Sequence, residues 1–199
     1  ASSPTGSRLS FASKPVVELF QRFAVLDEGS AGKRMTTEAL DLDRNATSAL
    51  LRGLFTADGT VGNSGDKSQY VALDSTSLEM LQQVQMLLLS FGIKGKLYRN
   101  RRGGKNRAML PDGRGGMKEY DVQEMHSLRI TRSSRIIFER EIGFHPGSAK
   151  ADSLAELNAS VGVYKDTMTD FLVELEPLGE EKVFDLTEKV TNHFVANGI

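Results

Sequence analysis

A carboxylate, Asp58, ends the apolar run Leu50-Leu51-Arg52-Gly53-Leu54-Phe55-Thr56-Ala57, and Gly59 follows it directly. The run predicts a helix, and its last turn is an unfavourable place for an acid: the negative end of the helix dipole costs an exposed carboxylate roughly 0.3–1 kcal/mol. Ala49, Gly53 and Ala57 recur every four residues, so three small residues share one face of that helix. Such a face lets a second helix approach backbone to backbone. A twin helix would bring a second carboxylate alongside, and like charges repel. A divalent cation shared by the two removes both penalties, so the spacing points to a metal-assisted site at the foot of a helix pair.

A second concentration of chemistry lies downstream. Lys94, Lys96, Arg99, Arg101, Arg102, Lys105 and Arg107 place seven cations in the stretch 94–107, with no acid among them. In an extended strand Lys96, Tyr98, Asn100 and Arg102 share one face, and Leu97, Arg99 and Arg101 the other. A positive ribbon running into Gly103-Gly104 suits a DNA backbone, where each phosphate contact releases counterions. Arginine and asparagine are also the side chains that read guanine and adenine in a major groove. The plainer alternative is a solvated edge strand whose charges prevent aggregation. The stretch 118–132 alternates: Tyr120, Val122, Leu128 and Ile130 fall on one face, and Asp121, Gln123, Ser127, Arg129 and Thr131 on the other. That polar face adds Gln123 and Arg129 to the candidate DNA-binding residues. His126 and His145 read as structural or surface residues, because no HExxH or comparable metal spacing accompanies them.

These residues need a scaffold, and the composition permits one. The chain has 199 residues, 39% of them hydrophobic and 26% charged, which is ordinary for a soluble globular protein with a sizeable core. It has no cysteine, which excludes disulfides, cysteine-based zinc sites and cysteine nucleophiles. No run approaches 18 apolar residues, so no membrane span is expected. Ala1–Ser7 lacks a basic region followed by an apolar one, so no signal peptide is read there and a cytoplasmic location is expected. The net charge of −1 argues against a uniformly basic nucleic-acid binder but leaves room for local patches.

Taken in order, residues 15–25 predict a short helix opening on Pro15, and Gly29–Gly32 a turn. The Asp58 helix follows, with Asn45 as its expected N-cap and Gly59 as a left-handed C-cap. Residues 60–66 read as a hairpin turn and 70–73 as a strand. A helix over 78–91 is expected to be capped by Ser75 or Thr76, with Leu78, Leu81, Val84, Leu88 and Phe91 on its core face and Gly92 at its end. After the basic strand comes a turn at Pro111-Asp112-Gly113, then the 118–132 strand. A helix capped by Ser133 or Ser134 and closed by Gly143 is next, and a last helix spans 152–158.

Residues 51–59 (LRGLFTADG) resemble the signature of the LAGLIDADG homing endonucleases. They match at the leucine, glycine, second leucine, alanine, aspartate and final glycine positions, and depart at Thr56, where the family often has a second aspartate. The order of elements, αββαββα, is that of a LAGLIDADG repeat, an α/β (α+β) fold whose curved antiparallel sheet forms a DNA-binding saddle. The resemblance implies that Asp58 is the metal ligand for Mg²⁺ and that double-stranded DNA is the substrate. Lys33 and Met35 resemble the lysine and apolar residue preceding the second signature copy in inteins that carry such an endonuclease. Ile142-Gly143-Phe144 followed by Lys150 resembles their block holding a second functional lysine, so Lys33 and Lys150 join Asp58 as expected catalytic residues. With one signature, the site requires a second LAGLIDADG repeat, supplied by a homodimer or by a separate N-terminal intein piece.

The tail has another character. Residues 170–176 and 182–186 read as strands joined by a turn, and 193–196 as a further strand, with no helical period. Residues 182–199 (KVFDLTEKVTNHFVANGI) resemble the C-terminal splicing block of inteins, whose aspartate and histidine match Asp185 and His193. The stretch 110–144 is similar to inteins found in ribonucleotide reductases. The expected organisation is residues 1–45 as the end of a preceding repeat and linker, 46–160 as an endonuclease repeat, and 161–199 as a small all-β, Hint-type splicing segment. The early nucleophile and Thr-xx-His block of inteins, and their terminal His-Asn, are not in this sequence, so splicing by it alone is not expected. A C-terminal fragment of a split splicing element is therefore the alternative to a nuclease, and a nucleic-acid binder without cleavage activity is a third.

Overall fold

The structure is a computed structural model that describes residues 13–25, 27–65, 68–101, 103–104, 107–111, 113, 115–160, 169, 171–177, 179–180 and 182, and the backbone of 2–3 and 6–7. Strands β1 (Ser2–Ser3) and β2 (Gly6–Ser7) form a small antiparallel ribbon. Helix α1 (Lys14–Phe23) begins on Pro15, where the missing N–H is harmless. Strand β3 (Ala24–Val25) pairs with β4 (Arg34–Met35), and helix α2 (Thr37–Leu40) follows.

Helix α3 (Arg44–Asp58) is the Asp58 helix. Its N-cap is Asp43, not Asn45: Asp43 accepts a hydrogen bond from the Ala46 N–H at 2.9 Å. Thr47, Leu51 and Phe55, four apart, face the core. Gly59 is not left-handed but extended, with φ −73° and ψ 161°, and opens strand β5 (Gly59–Asn63). Glycine is needed there for space, because a Cβ would sit 2.5 Å from the Phe55 carbonyl oxygen. Residues expected in a turn at 60–63 are therefore strand, and the reversal falls after Asn63. Strand β6 (Gln69–Ser75) returns antiparallel, and helix α4 (Leu78–Leu89) is capped by Ser77, whose hydroxyl accepts from the Met80 N–H; Ser75 and Thr76 lie before the cap.

Strand β7 (Gly95–Tyr98) is shorter than the basic run, because Asn100 takes a left-handed φ of 44° and ends it. The 118–132 stretch is two strands. Strands β8 (Arg107–Pro111) and β9 (Met117–Asp121) form an exposed hairpin of their own, and β10 (His126–Ile130) belongs to the main sheet. Tyr120 thus does not share a face with Leu128 and Ile130, because residues 122–125 interrupt the alternation. Helix α5 (Arg132–Glu141) starts from Thr131 with no side-chain cap, instead of Ser133 or Ser134, and Gly143 closes it with φ +64°. Helix α6 (Ala149–Ser160) comes last. The expected strand at 170–176 is not formed by 171–176, which are exposed and carry no strand pairing.

The main sheet runs β5-β6-β10-β7, all antiparallel. Val71, Leu73, Leu128 and Ile130 point from it into a core shared with Leu81, Val84 and Leu88 of α4 and Phe138 of α5. Phe138 meets Phe55 and Phe144 edge to face, with ring centroids 4.8 and 5.7 Å apart. Arg52 Nε donates to the Ile142 carbonyl at 2.7 Å and Ser48 Oγ to that of Glu141 at 2.6 Å, tying α3 to the end of α5. In α5 the buried Arg135 has no partner for Nε or Nη1, and desolvation pushes its pKa down.

Candidate nuclease site and nucleic-acid face

Asp58 is the last residue of α3 and is exposed; no described residue gives it a hydrogen bond or an ion pair. The chain below it is fixed. Thr56 Oγ1 donates to the Arg52 carbonyl at 2.6 Å and accepts from the His145 N–H at 2.8 Å. That bond holds the loop leading into α6, and α6 delivers Lys150. Lys150 Nζ donates to the carbonyl oxygens of Thr56 and Ala57, at 2.7 and 3.1 Å. A cation on the exposed carbonyls of a helix C-terminus offsets the dipole that Asp58 opposes. Burial lowers the Lys150 pKa, and the nearby Asp58 charge counters that in part.

A groove of about 590 Å³ opens on the other side of Asp58. Its walls are largely apolar, with Phe20, Phe23, Met35, Leu50, Leu54 and Met80, and its polar residues include Lys33, Asp58 and Asp74. Lys33 is placed by the Ser77 hydroxyl, which donates to its carbonyl, and by Gln83, which bonds both the N–H and the C=O of Met35. Asp74 was missed by pattern reading. Gly59, the residue after Asp58, pairs with Leu73, the residue before Asp74, and both aspartates line the same groove. The signal was the in-phase spacing of Tyr70, Ala72 and Asp74. The structure thus brings Lys33 and Asp58 to one groove and sets Lys150 beside Asp58, against the helix end.

Ala49, Gly53 and Ala57 form an exposed stripe on α3, and a Cβ added at Gly53 would meet nothing within 4 Å. No described element covers Gly53.

The second face of the main sheet carries the residues that alternate with the core. These include Tyr70 and Ala72 on β6, Ser127 and Arg129 on β10, and Lys96 and Tyr98 on β7. The Arg129 guanidinium lies 4.2 Å from the Tyr70 ring centroid and 5.2 Å from that of Tyr98. Lys96 and Arg101 approach the same Tyr98 ring at 5.3 and 5.6 Å. Three cations therefore gather around one aromatic ring. Lys96 and Tyr98 share a face as the alternation predicts, and Tyr70 is the member of the cluster that the sequence pattern does not reveal. Lys94 Nζ donates to the Thr169 carbonyl at 3.2 Å, while Arg99 and Gln123 are exposed. Arg107 sits on the hairpin, ion-paired with Glu119 at 3.4 Å and Asp121 at 3.1 Å. Arg102, Lys105, Asp185 and His193 lie outside the described residues. His126 is buried, and its Nδ1 accepts from the Asn100 N–H at 3.2 Å, holding the turn after β7.

This helix foot and sheet face coincide with a known family pattern: the model of the LAGLIDADG-like domain matches residues 45–143. The chain carries a LAGLIDADG-like domain. The chain is also 33% identical over 162 residues to the ribonucleoside-diphosphate reductase NrdEB subunit alpha of Bacillus subtilis strain 168, and equally to that of Bacillus phage SPbeta; the match spans 79% of this chain and 15% of each relative. A DNA polymerase of Thermococcus sp. strain GE8 is 26% identical over 175 residues, spanning 85% of this chain and 10% of the polymerase. The chain therefore corresponds to a small part of each of these relatives.

LAGLIDADG endonucleases generally use a divalent metal. Among the described residues no cluster of three or more metal-ligating side chains occurs. The hard carboxylates of Asp58 and Asp74 nevertheless fit Mg²⁺, which keeps several waters and takes one or two carboxylates together with substrate phosphates. No helix among the described residues is long and apolar enough to cross a membrane.

Proposed function

We propose that this chain is one repeat of a site-specific DNA endonuclease, embedded in an intein, that hydrolyses phosphodiester bonds in double-stranded DNA once it meets a second repeat. The observation that carries the reading is the exposed, unpartnered Asp58 at the end of a helix whose small face is open. Pairing across Ala49, Gly53 and Ala57 would bring two such carboxylates together. Asp58 would hold Mg²⁺, which supplies an activated water and neutralises charge on the leaving 3′ oxygen. Lys33, exposed at the same groove, faces the phosphate being cut and offsets its charge. Lys150 keeps the helix end rigid through the Thr56 and Ala57 carbonyls and so fixes where the Asp58 carboxylate sits. Lys96, Arg99, Arg101 and Arg129 hold the duplex, with Arg102 and Lys105 extending the same basic run.

The test is cleavage of duplex DNA carrying the uninterrupted insertion site, with Mg²⁺ and a second repeat. The wild-type chain cuts, and Asp58→Asn abolishes cutting without altering the fold, since an exposed side chain without partners contributes within about 0.5 kcal/mol to stability. Cutting that survives Asp58→Asn refutes the assignment.

A splicing role has separate support. A reductase and a polymerase, enzymes of different names, both align with this chain over a small fraction of their own length. That is what a mobile insert shared between unrelated hosts would give. On this reading residues 161–199 are the C-terminal splicing segment, with Asp185 and His193 as its assisting residues. Mixing the chain, extended by a C-terminal junction, with an N-terminal intein piece should ligate the flanks; failure of the two to associate rules it out.

A further inference from the structure

Arg129 is the penultimate residue of β10, an inner strand, on the face opposite the core. Its seat is built by three other strands. Tyr70 from β6 and Tyr98 from β7 flank the guanidinium, and the Tyr70 ring lies across Gly62 of β5, where any Cβ would collide with it. Across β10 the residues opposite Arg129 are Ala72, which takes little space, and Lys96, which adds charge. The Arg129 Nε is sealed from solvent without an acceptor, while the terminal nitrogens are not sealed and no described residue hydrogen-bonds to them. Among the described residues no carboxylate forms an ion pair with it. This arginine is thus charged and held in place before any ligand arrives, and only the outer fork of its guanidinium is available.

We infer that Arg129 is a specificity-determining residue that selects a guanine in the major groove of the bound duplex, with Tyr70 and Tyr98 as positioning residues. The inference rests on the sheet being the DNA face. Guanine presents O6 and N7 side by side as two acceptors, which matches the paired donors of a guanidinium edge, and the other major-groove base edges lack that pair. A phosphate contact asks for less: a flexible cation at the rim, as Arg99 is, serves it. A fork clamped on an inner strand has its orientation fixed in advance, which is what base reading needs and phosphate binding does not.

The experiment selects binders to the full chain from a pool of duplexes with a randomised central segment, without Mg²⁺ so that cutting is not read. The wild-type chain should enrich a motif with a fixed guanine. Arg129→Gln should enrich the same motif with that position moved toward adenine, the base whose edge matches a carboxamide. Arg129→Leu, which has no donor, should lose about 5- to 150-fold in preference for guanine at that position while the rest of the motif stays the same. Tyr98→Leu should retain the guanine with a weaker preference. If Arg129→Gln weakens binding to every duplex alike and leaves the motif unchanged, Arg129 is a phosphate contact and the inference is overturned. If the wild-type chain enriches no motif, the DNA-face reading itself fails, a result distinct from the former.

Discussion

Replacing Gly53 by alanine should push two measurable properties in opposite directions. Gly53 lies in the interior of α3, where glycine is less stable than alanine by roughly 0.5–1 kcal/mol. The new methyl would meet no described atom within 4 Å, so no described residue subtracts from that gain. For a protein of this size the melting temperature should rise by about 1–4 °C. The same methyl falls in the centre of the Ala49, Gly53 and Ala57 stripe, where a second helix would have to pass. Overpacking of a close contact costs about 1–3 kcal/mol, or roughly 5- to 150-fold in the association constant. Thermal denaturation at a dilution where sedimentation shows monomer reads the first property. Sedimentation with the second repeat, and cleavage of the duplex, read the second. A fall in melting temperature would mean that the stripe is already packed within the chain. A rise with undiminished association and cleavage would mean that the helices do not meet there.

Gly59→Ala should destabilise the chain by about 1–3 kcal/mol, because the new Cβ strikes the Phe55 carbonyl and neither backbone segment can yield easily; urea denaturation checks it. Lys150→Met should cost about 0.5–1.5 kcal/mol, since it removes the donor from two carbonyls that water can partly reach, and it should lower cleavage more than DNA binding. Glu141 has its pKa lowered by hydrogen bonds first from Arg140 and then from Arg44. A lowered folded-state pKa means that its contribution is complete above the ordinary glutamate value of about 4.3 and is lost as pH falls below it. Glu141→Gln should therefore lower stability slightly at neutral pH, match the wild type in acid and flatten the limb between; a variant with the same acid limb as the wild type would refute the linkage.

Much of the repeat was legible because its long-period signals are strong. The small residues 49, 53 and 57, the apolar stripe of α4 and the breakers at Gly92 and Gly143 placed three helices and their order. Local chemistry misled where two residues competed for one role. Asp43 and Asn45 can both cap, and the geometry of Leu42 and Asp43 decides for the former. Gly59 invited a left-handed cap, yet the strand it enters needs its lack of a side chain, not its backbone freedom. The alternation across 118–132 looked continuous because Tyr120 and Val122 happen to be in phase with Leu128, although 122–125 break the strand. Asp74 and Tyr70 were invisible as site residues because their meaning depends on register between strands, which no single stretch of sequence states.

The hairpin of β8 and β9 stands between two strands, β7 and β10, that are direct neighbours in the sheet. Joining them through residues 99–125 instead of a tight turn carries an extra entropic penalty of roughly 1–2 kcal/mol. By pairing with itself the excursion shortens the free chain to be closed, so the sheet tolerates it as a self-contained outgrowth. Its length is then decoupled from the registry of the four strands, and lineages of this repeat can lengthen, shorten or exchange it without renegotiating the core.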